Sequence, residues 1–155
     1  MRKNVVIICD GAFPKSEFPR YIIRNADFII CCDGALRKFL RNCRSIFGED
    51  RLPDLVIGDM DSLPASMIRR YEEIIVKVDE QEHNDQTKAF RWAVENLTDI
   101  GNRIVLCVIF SCLKSSSGYG TRLIMNSIEY TISLKRECTL SLETIRIFSQ
   151  VSGKF

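Results

Sequence analysis

Short runs that are apolar at every position alternate along the chain with segments whose apolar residues recur at helical spacing. "NVVIIC" (4–9) predicts a buried strand, and "SEFPRYIIRNA" (16–26) a short helix interrupted early by Pro19. "DFIICC" (27–32) predicts a second strand and "GALRKFLRNC" (34–43) a second helix. A third strand is expected at "DLVIG" (54–58), then a helix at "PASMIRRYE" (64–72) with Ser62 as its cap, then a fourth strand at "EIIVKV" (73–78). "NDQTKAFRWAVENLTDIG" (84–101) is the clearest helix, capped by Asn84 or Asp85 and closed by Gly101. "RIVLCVIF" (103–110) predicts a fifth strand. Strands without a polar face need cover on both sides, and parallel strands joined by helices provide it. The expected fold class is therefore α/β: a doubly wound, mainly parallel sheet with helices on both faces.

The last third reads differently. All ten aspartates lie at or before Asp99, whereas nine of the thirteen serines follow residue 105. "LKSSSGYGTRL" (113–123) reads as a loop, "RLIMNSIEYTISLKREC" (122–138) as a helix weakened by Thr131, Ile132 and Ser133, and "TLSLETIRIF" (139–148) as a strand. Two regions are expected: an α/β unit over 1–106, and an irregular or divergent tail over 107–155.

Composition narrows the function classes. At 155 residues the chain fits one domain with a real core. Residues 1–99 carry 15 Lys and Arg against 17 Asp and Glu, and residues 100–155 carry 7 against 3. The basic residues are scattered, so no nucleic-acid stripe is expected. The apolar run Val5–Cys9 ends on Asp10, too short for a signal peptide, and no run approaches the roughly 18 apolar residues of a membrane span. A cytoplasmic protein is expected. The seven cysteines lack CxxC spacing and fall mostly in strand-like runs, where reduced thiols act as small hydrophobes.

The chemistry lies in where the carboxylates fall. Asp10 follows the first predicted strand, Asp33 the second, Asp59 and Asp61 the third, and the Asp79–Asp85 segment the fourth. Parallel strands place their C-termini along one edge, where ligands bind. Gathered like charges repel unless a cation stabilises them, and an all-oxygen set suits Mg²⁺ carrying phosphates better than zinc. Aspartates also serve turns and caps, and Asp54, which precedes its strand, reads as structural. Thr87 and Lys88 fall in the first turn of the helix from 84. Lysine is unfavourable there unless an anion such as phosphate accompanies it; the alternative is a solvated lysine. His83 reads as exposed, and Trp92 as helix packing. "DGAFP" and "CDGAL" offer small residues for close backbone approach but lack GxGxxG spacing.

"CDGAL", "GDMDSL" and "DEQEHNDQTKAF", in this order and on these elements, resemble the thiamine pyrophosphokinase (thiamine diphosphokinase) family over about residues 4–106. The resemblance implies a Mg²⁺-dependent transferase moving pyrophosphate from ATP to the hydroxyl of thiamine and leaving AMP. It also implies an N-terminal α/β domain, a C-terminal β-sandwich, and a homodimer holding thiamine between subunits. Matched by motif, Asp59, Asp61 and Asp85 bind the metal, with Asp33 completing the acidic set around the polyphosphate. Gln81, Asn84, Thr87, Lys88 and Asp33 contact substrate, and Asp61 or Asp85 takes the hydroxyl proton.

The chain departs from that family after "NRIVL", where a Gly-rich turn and an Asp-His pair would follow. No aspartate or histidine occurs after Asp99, and the remaining residues are too few for a complete β-sandwich. The change near residue 106 predicts a shifted reading frame or a truncated gene, with impaired activity. Two other classes fit an Asp-x-Asp turn. One is a different Mg²⁺-dependent phosphatase or nucleotide transferase, although phosphatases of the haloacid-dehalogenase type carry the pair after the first strand. The other is an inactive nucleotide-binding remnant.

Overall fold

A computed structural model describes residues 2–11, 13–79, 84–97, 103–109, 123–134 and 140–152. Its strands are β1 (Arg2–Ile8), β2 (Phe28–Cys32), β3 (Leu55–Gly58), β4 (Ile75–Lys77), β5 (Arg103–Ile109), β6 (Leu123–Leu134) and β7 (Leu140–Ser152). The helices are α1 (Glu17–Arg24), α2 (Ala35–Phe47), α3 (Ala65–Arg70) and α4 (Asp85–Leu97). The strand order is β4-β3-β2-β1-β5-β6-β7. The first five are parallel, and β6 and β7 add antiparallel to β5.

Chain direction decides which face each helix covers. From β1 through β4 the chain steps outward one strand at a time, then returns across β1 to place β5 on its far side. Crossovers between parallel strands are right-handed, so reversing the direction of travel sends the returning helix to the opposite face. The two cores follow this rule. Val6, Ile8, Ile29, Cys31 and Val56 point to a core shared with Ile23 of α1 and Leu36 and Phe39 of α2. Their alternates Val5, Ile7, Ile30, Cys32, Leu55 and Ile57 meet Ala89, Ala93 and Val94 of α4. The doubly wound α/β expectation is met, and Trp92 packs as expected, stacked on Phe28 with ring centroids 5.9 Å apart.

Local departures have local causes. Pro19 does not interrupt α1: it is the third helical residue, where no intrahelical partner awaits its missing N–H. α2 runs four residues beyond the predicted end, to Phe47, and Gly48, with a φ of 80°, closes it in the left-handed conformation. Pro64, not Ser62, occupies the N-cap of α3. The predicted fourth strand begins as a 3-10 turn, Glu72–Ile74, before β4. In the tail, Leu123–Leu134 is strand rather than helix, consistent with its β-branched Ile124, Ile128, Thr131 and Ile132. Gly101 and the 113–122 loop lie outside the described residues.

The opposite ends of the strands are tied by carboxylates. Asp27 accepts the Asn4 N–H at 2.8 Å and returns its own N–H to the Asn4 carbonyl at 2.9 Å. Asp54 does the same with Ile29, at 2.8 and 3.0 Å. Asp54 is thus structural, as its position before a strand suggested.

Candidate functional site

Three of the four acidic stretches meet where β2 and β3 end beneath the start of α4. Asp33 follows the last residue of β2, and its N–H still donates to the Ile57 carbonyl of β3 at 3.0 Å. Its φ of 38° turns the backbone into the left-handed region, which aspartate tolerates better than most residues. The side chain is 4 % exposed. Oδ2 accepts the Ser62 N–H at 3.1 Å, while Oδ1 is buried without a hydrogen-bond partner among the described residues.

Asp59 follows Gly58, the last residue of β3. Its Oδ1 accepts the Asp61 N–H at 3.2 Å, closing an Asx turn. Between them Met60 is buried with a φ of 67°, an uncommon conformation for a side chain of that size. Asp85 is the first residue of α4. Asn84 caps this helix: its Oδ1 accepts both the N–H and the hydroxyl of Thr87, each at 2.9 Å. Lys88, one turn into α4, is 6 % exposed and places Nζ 3.2 Å from Asp85 Oδ1.

One carboxylate oxygen from each of Asp33, Asp59 and Asp85 lies within 4.8 Å of the others. Three carboxylates beside one ammonium leave the cluster under-neutralised. Burial raises the Asp33 pKa above the ordinary carboxylate value; Ser62 hydrogen bonds oppose the shift, and the charges of Asp85 and Asp59 add to it. Two features of this site fit a hard divalent ion: an oxygen-only donor set and the orphaned Asp33 Oδ1. The spacing agrees as well, since opposite ligands of an octahedral Mg²⁺ stand about 4.2 Å apart at about 2.1 Å from the ion.

The sequence expectation gave Asp33 a substrate contact and Asp61 a metal contact. The geometry groups Asp33 with Asp59 and Asp85, while Asp61 is exposed at the rim of the turn, outside the trio. Asn84 and Thr87 satisfy each other at the helix start. Lys88 is neither solvated nor free, being buried against Asp85. Asp10 is not one of the trio but lies beside it: its Oδ1 is 2.6 Å from Lys38 Nζ, and its Oδ2 packs against Gly34, the residue after Asp33. Asp79 is exposed and pairs with Lys77 at 3.1 Å. Gln81 and His83 lie outside the described residues.

Sequence reasoning missed Gly58. A Cβ there would stand 3.0 Å from Asp33 Cβ and 3.2 Å from Asp85 Oδ1, and the φ of 155° is itself unfavourable for other residues. Gly58 is what lets the two acids close over the end of β3. The signal was available: it is the G of "GDMD", between a buried strand and the paired acids.

A family described as thiamin pyrophosphokinase, catalytic domain, matches residues 19–117. No curated protein matches the chain in sequence. Among solved structures, thiamin pyrophosphokinase from Candida albicans aligns with a TM-score of 0.50 and 23 % identity, over 62 % of this chain and 32 % of that one. The yeast enzyme aligns at 0.47 and 24 %, over 59 % and 31 %. The enzyme from Geobacillus thermodenitrificans aligns at 0.45 and 22 %, over 66 % and 45 %. The chain thus spans about a third of the yeast and Candida chains and under half of the Geobacillus one. At such identities the Candida likeness speaks for the fold alone. The family match is the stronger finding, because it covers well over half the sequence and takes in β2, β3 and α4 with the whole acidic trio. The chain belongs to the family of thiamin pyrophosphokinase catalytic domains.

Proposed function

We propose that this chain is a catalytic unit for transferring pyrophosphate from ATP to the hydroxyl of thiamine, giving thiamine diphosphate and AMP. The observation that carries the proposal is the meeting of Asp33, Asp59 and Asp85 within 4.8 Å, inside the region that matches the family. On this reading the three carboxylates hold Mg²⁺ at the rim of the sheet. When bound, the ion offsets the negative charge of a polyphosphate and of the oxygens between which the phosphoryl group passes.

The remaining residues have separable tasks. Asp33 is fixed by Ser62, and its buried position keeps water from competing for Oδ1. Lys88 holds Asp85 in place and brings a positive charge to the start of α4, on the side where phosphate oxygens would lie. Asn84 and Thr87 fix where that helix begins. Asp61 is exposed and uncommitted to the trio, so it is the better placed of the two candidate bases to accept the thiamine hydroxyl proton. Gln81 completes the substrate-binding segment in this proposal. The division near residue 106 belongs to it too, with 1–106 as the catalytic unit. So do a cytoplasmic location, homodimeric assembly and the absence of nucleic-acid or membrane partners. Among the described residues no helix is long and apolar enough to cross a membrane.

The deciding experiment measures AMP formation from Mg²⁺ and ATP, with and without thiamine, for this chain and for Asp59→Asn. AMP that appears only with thiamine, and is lost in the variant, is the expected result. Phosphate release from simple esters without ATP would instead favour a phosphatase. A second reading, nucleotide binding without transfer, is favoured by "CVIFSCLKSSSGYG" standing after "NRIVL", where the resemblance implies a Gly-rich turn and an Asp-His pair. Calorimetric binding of Mg–ATP with no AMP formed would select it.

A further inference from the structure

Two of the described cysteines are explained by packing. Cys31 and Cys43 are buried in the core under α1 and α2. Cys9 is different: it lies one residue past β1 and is only half-buried. Ile8 and Cys31 are register partners on the parallel strands β1 and β2, so the next positions, Cys9 and Cys32, are neighbours across the same pair. Adjacent strands run about 4.8 Å apart, inside the Cα separation of about 4.4–6.8 Å that a disulfide accepts. Both side chains belong to the α4 face, whereas Cys31 points to the other. The Cys9 thiol lies within side-chain hydrogen-bonding reach of Cys32. Cys32 in turn directs Sγ at the Asp85 carbonyl, 3.6 Å away, and is followed by Asp33.

We propose that Cys9 and Cys32 form a dithiol pair that a small-molecule disulfide oxidises to an intramolecular disulfide beside the acidic site. Cys9, the accessible member, attacks the external disulfide, releasing one thiol and forming a mixed disulfide. The Cys32 sulfur then attacks the Cys9 sulfur, and its proton leaves with the second departing thiol. The protein loses two electrons and two protons, and the external disulfide becomes two thiols. The new bond draws Cys32 Sγ from the Asp85 carbonyl and pins the end of β2 that carries Asp33. Oxidation therefore changes the relative placement of two members of the trio. Formation of the bond does not depend on the pyrophosphokinase reading; its effect on ion binding rests on that reading's divalent-ion site.

The test treats the full chain with glutathione disulfide and maps cross-links by mass spectrometry of a non-reducing digest. The expected product joins the Cys9 and Cys32 peptides, is lighter by two hydrogens, and reverts with dithiothreitol. Cys9→Ser, a half-buried substitution, removes the cross-link and leaves Cys32 unmodified. Cys9 stopping at the mixed disulfide, or joining another cysteine, overturns the proposal. Calorimetric titration with Mg²⁺ then compares the two forms, and a several-fold weaker affinity after oxidation is expected. Equal affinities overturn the switch. A reduced protein that binds no Mg²⁺ overturns the divalent-ion reading instead, and the cross-link alone then judges the pair.

Discussion

Aspartate performs two opposite jobs in this protein. Before a strand, Asp27 and Asp54 clasp the backbone of the neighbouring strand. Asp33 and Asp59, directly after strands, and Asp85, at the start of α4, face one another with too few donors. The second arrangement stores electrostatic cost, which pH can read. Burial raises the Asp33 pKa in the folded state, so between the ordinary carboxylate value and that raised value the folded protein holds a proton the unfolded chain has lost. Stability contributed by this group is present below the unfolded pKa and is lost as pH rises through the folded one. Denaturant unfolding across this range in metal-free buffer should show that decline, and Asp33→Asn should flatten it. A decline of equal size in the variant would assign the effect elsewhere. Gly58 gives a second prediction at this scale. A methyl group at its position meets Asp33 and Asp85 at 3.0–3.2 Å on an unfavourable φ, so Gly58→Ala should cost about 1–3 kcal/mol in urea unfolding. It should also weaken Mg²⁺ binding by forcing the acids apart.

At the level of elements, α4 decides whether the site exists. It is the helix that returns across the sheet, and its first residue supplies the third carboxylate. Asn84→Ala removes the acceptor for both Thr87 donors and should destabilise the protein by about 1 kcal/mol. Fraying at that end moves Asp85, so Mg²⁺ affinity should fall in the same variant although Asn84 is outside the trio. A loss of stability with unchanged affinity would show that Asp85 is held by Lys88 alone. The elements were legible in the sequence because strands buried on both faces leave an unbroken apolar signature, and helices between them a periodic one. Helix ends were legible only in part. The sequence offers Asn84 or Asp85 as the cap of α4, and Asn84 fills that place, whereas the extension of α2 to Phe47 goes unread, since Phe47 and Ile46 fit either a helix or a loop against the core. The gathering of acids on one edge followed from topology. The choice of Asp33 over Asp61 did not, because both follow strands and only the left-handed turn at Met60 aims Asp59 inward while leaving Asp61 at the rim. The burial of Lys88 was equally hidden, for a lysine at that spacing reads the same whether it faces solvent or a carboxylate.

For the molecule as a whole, the separate costs at the rim should be recoverable as binding energy. Three carboxylates, one of them with an unpartnered buried oxygen, raise the free energy of the metal-free folded state and have no such juxtaposition in the unfolded chain. A divalent ion that binds only the folded form stabilises it by an amount set by its concentration over its dissociation constant, about 2.7 kcal/mol at a hundredfold excess. Thermal unfolding should therefore shift upward with Mg²⁺ and saturate. The shift should shrink as pH falls through the raised Asp33 value, because the proton and the ion compete for the same oxygens. Asp59→Asn separates site binding from a general salt effect. It removes one charge from the trio, relieves repulsion on Asp33 and Asp85, and should make the metal-free protein no less stable while abolishing most of the Mg²⁺ response. A general salt effect would leave the variant's response intact, and sodium chloride of equal ionic strength would reproduce it. If instead the variant is less stable without metal and still responds in full to Mg²⁺, the ion is held elsewhere and the acidic trio serves the fold.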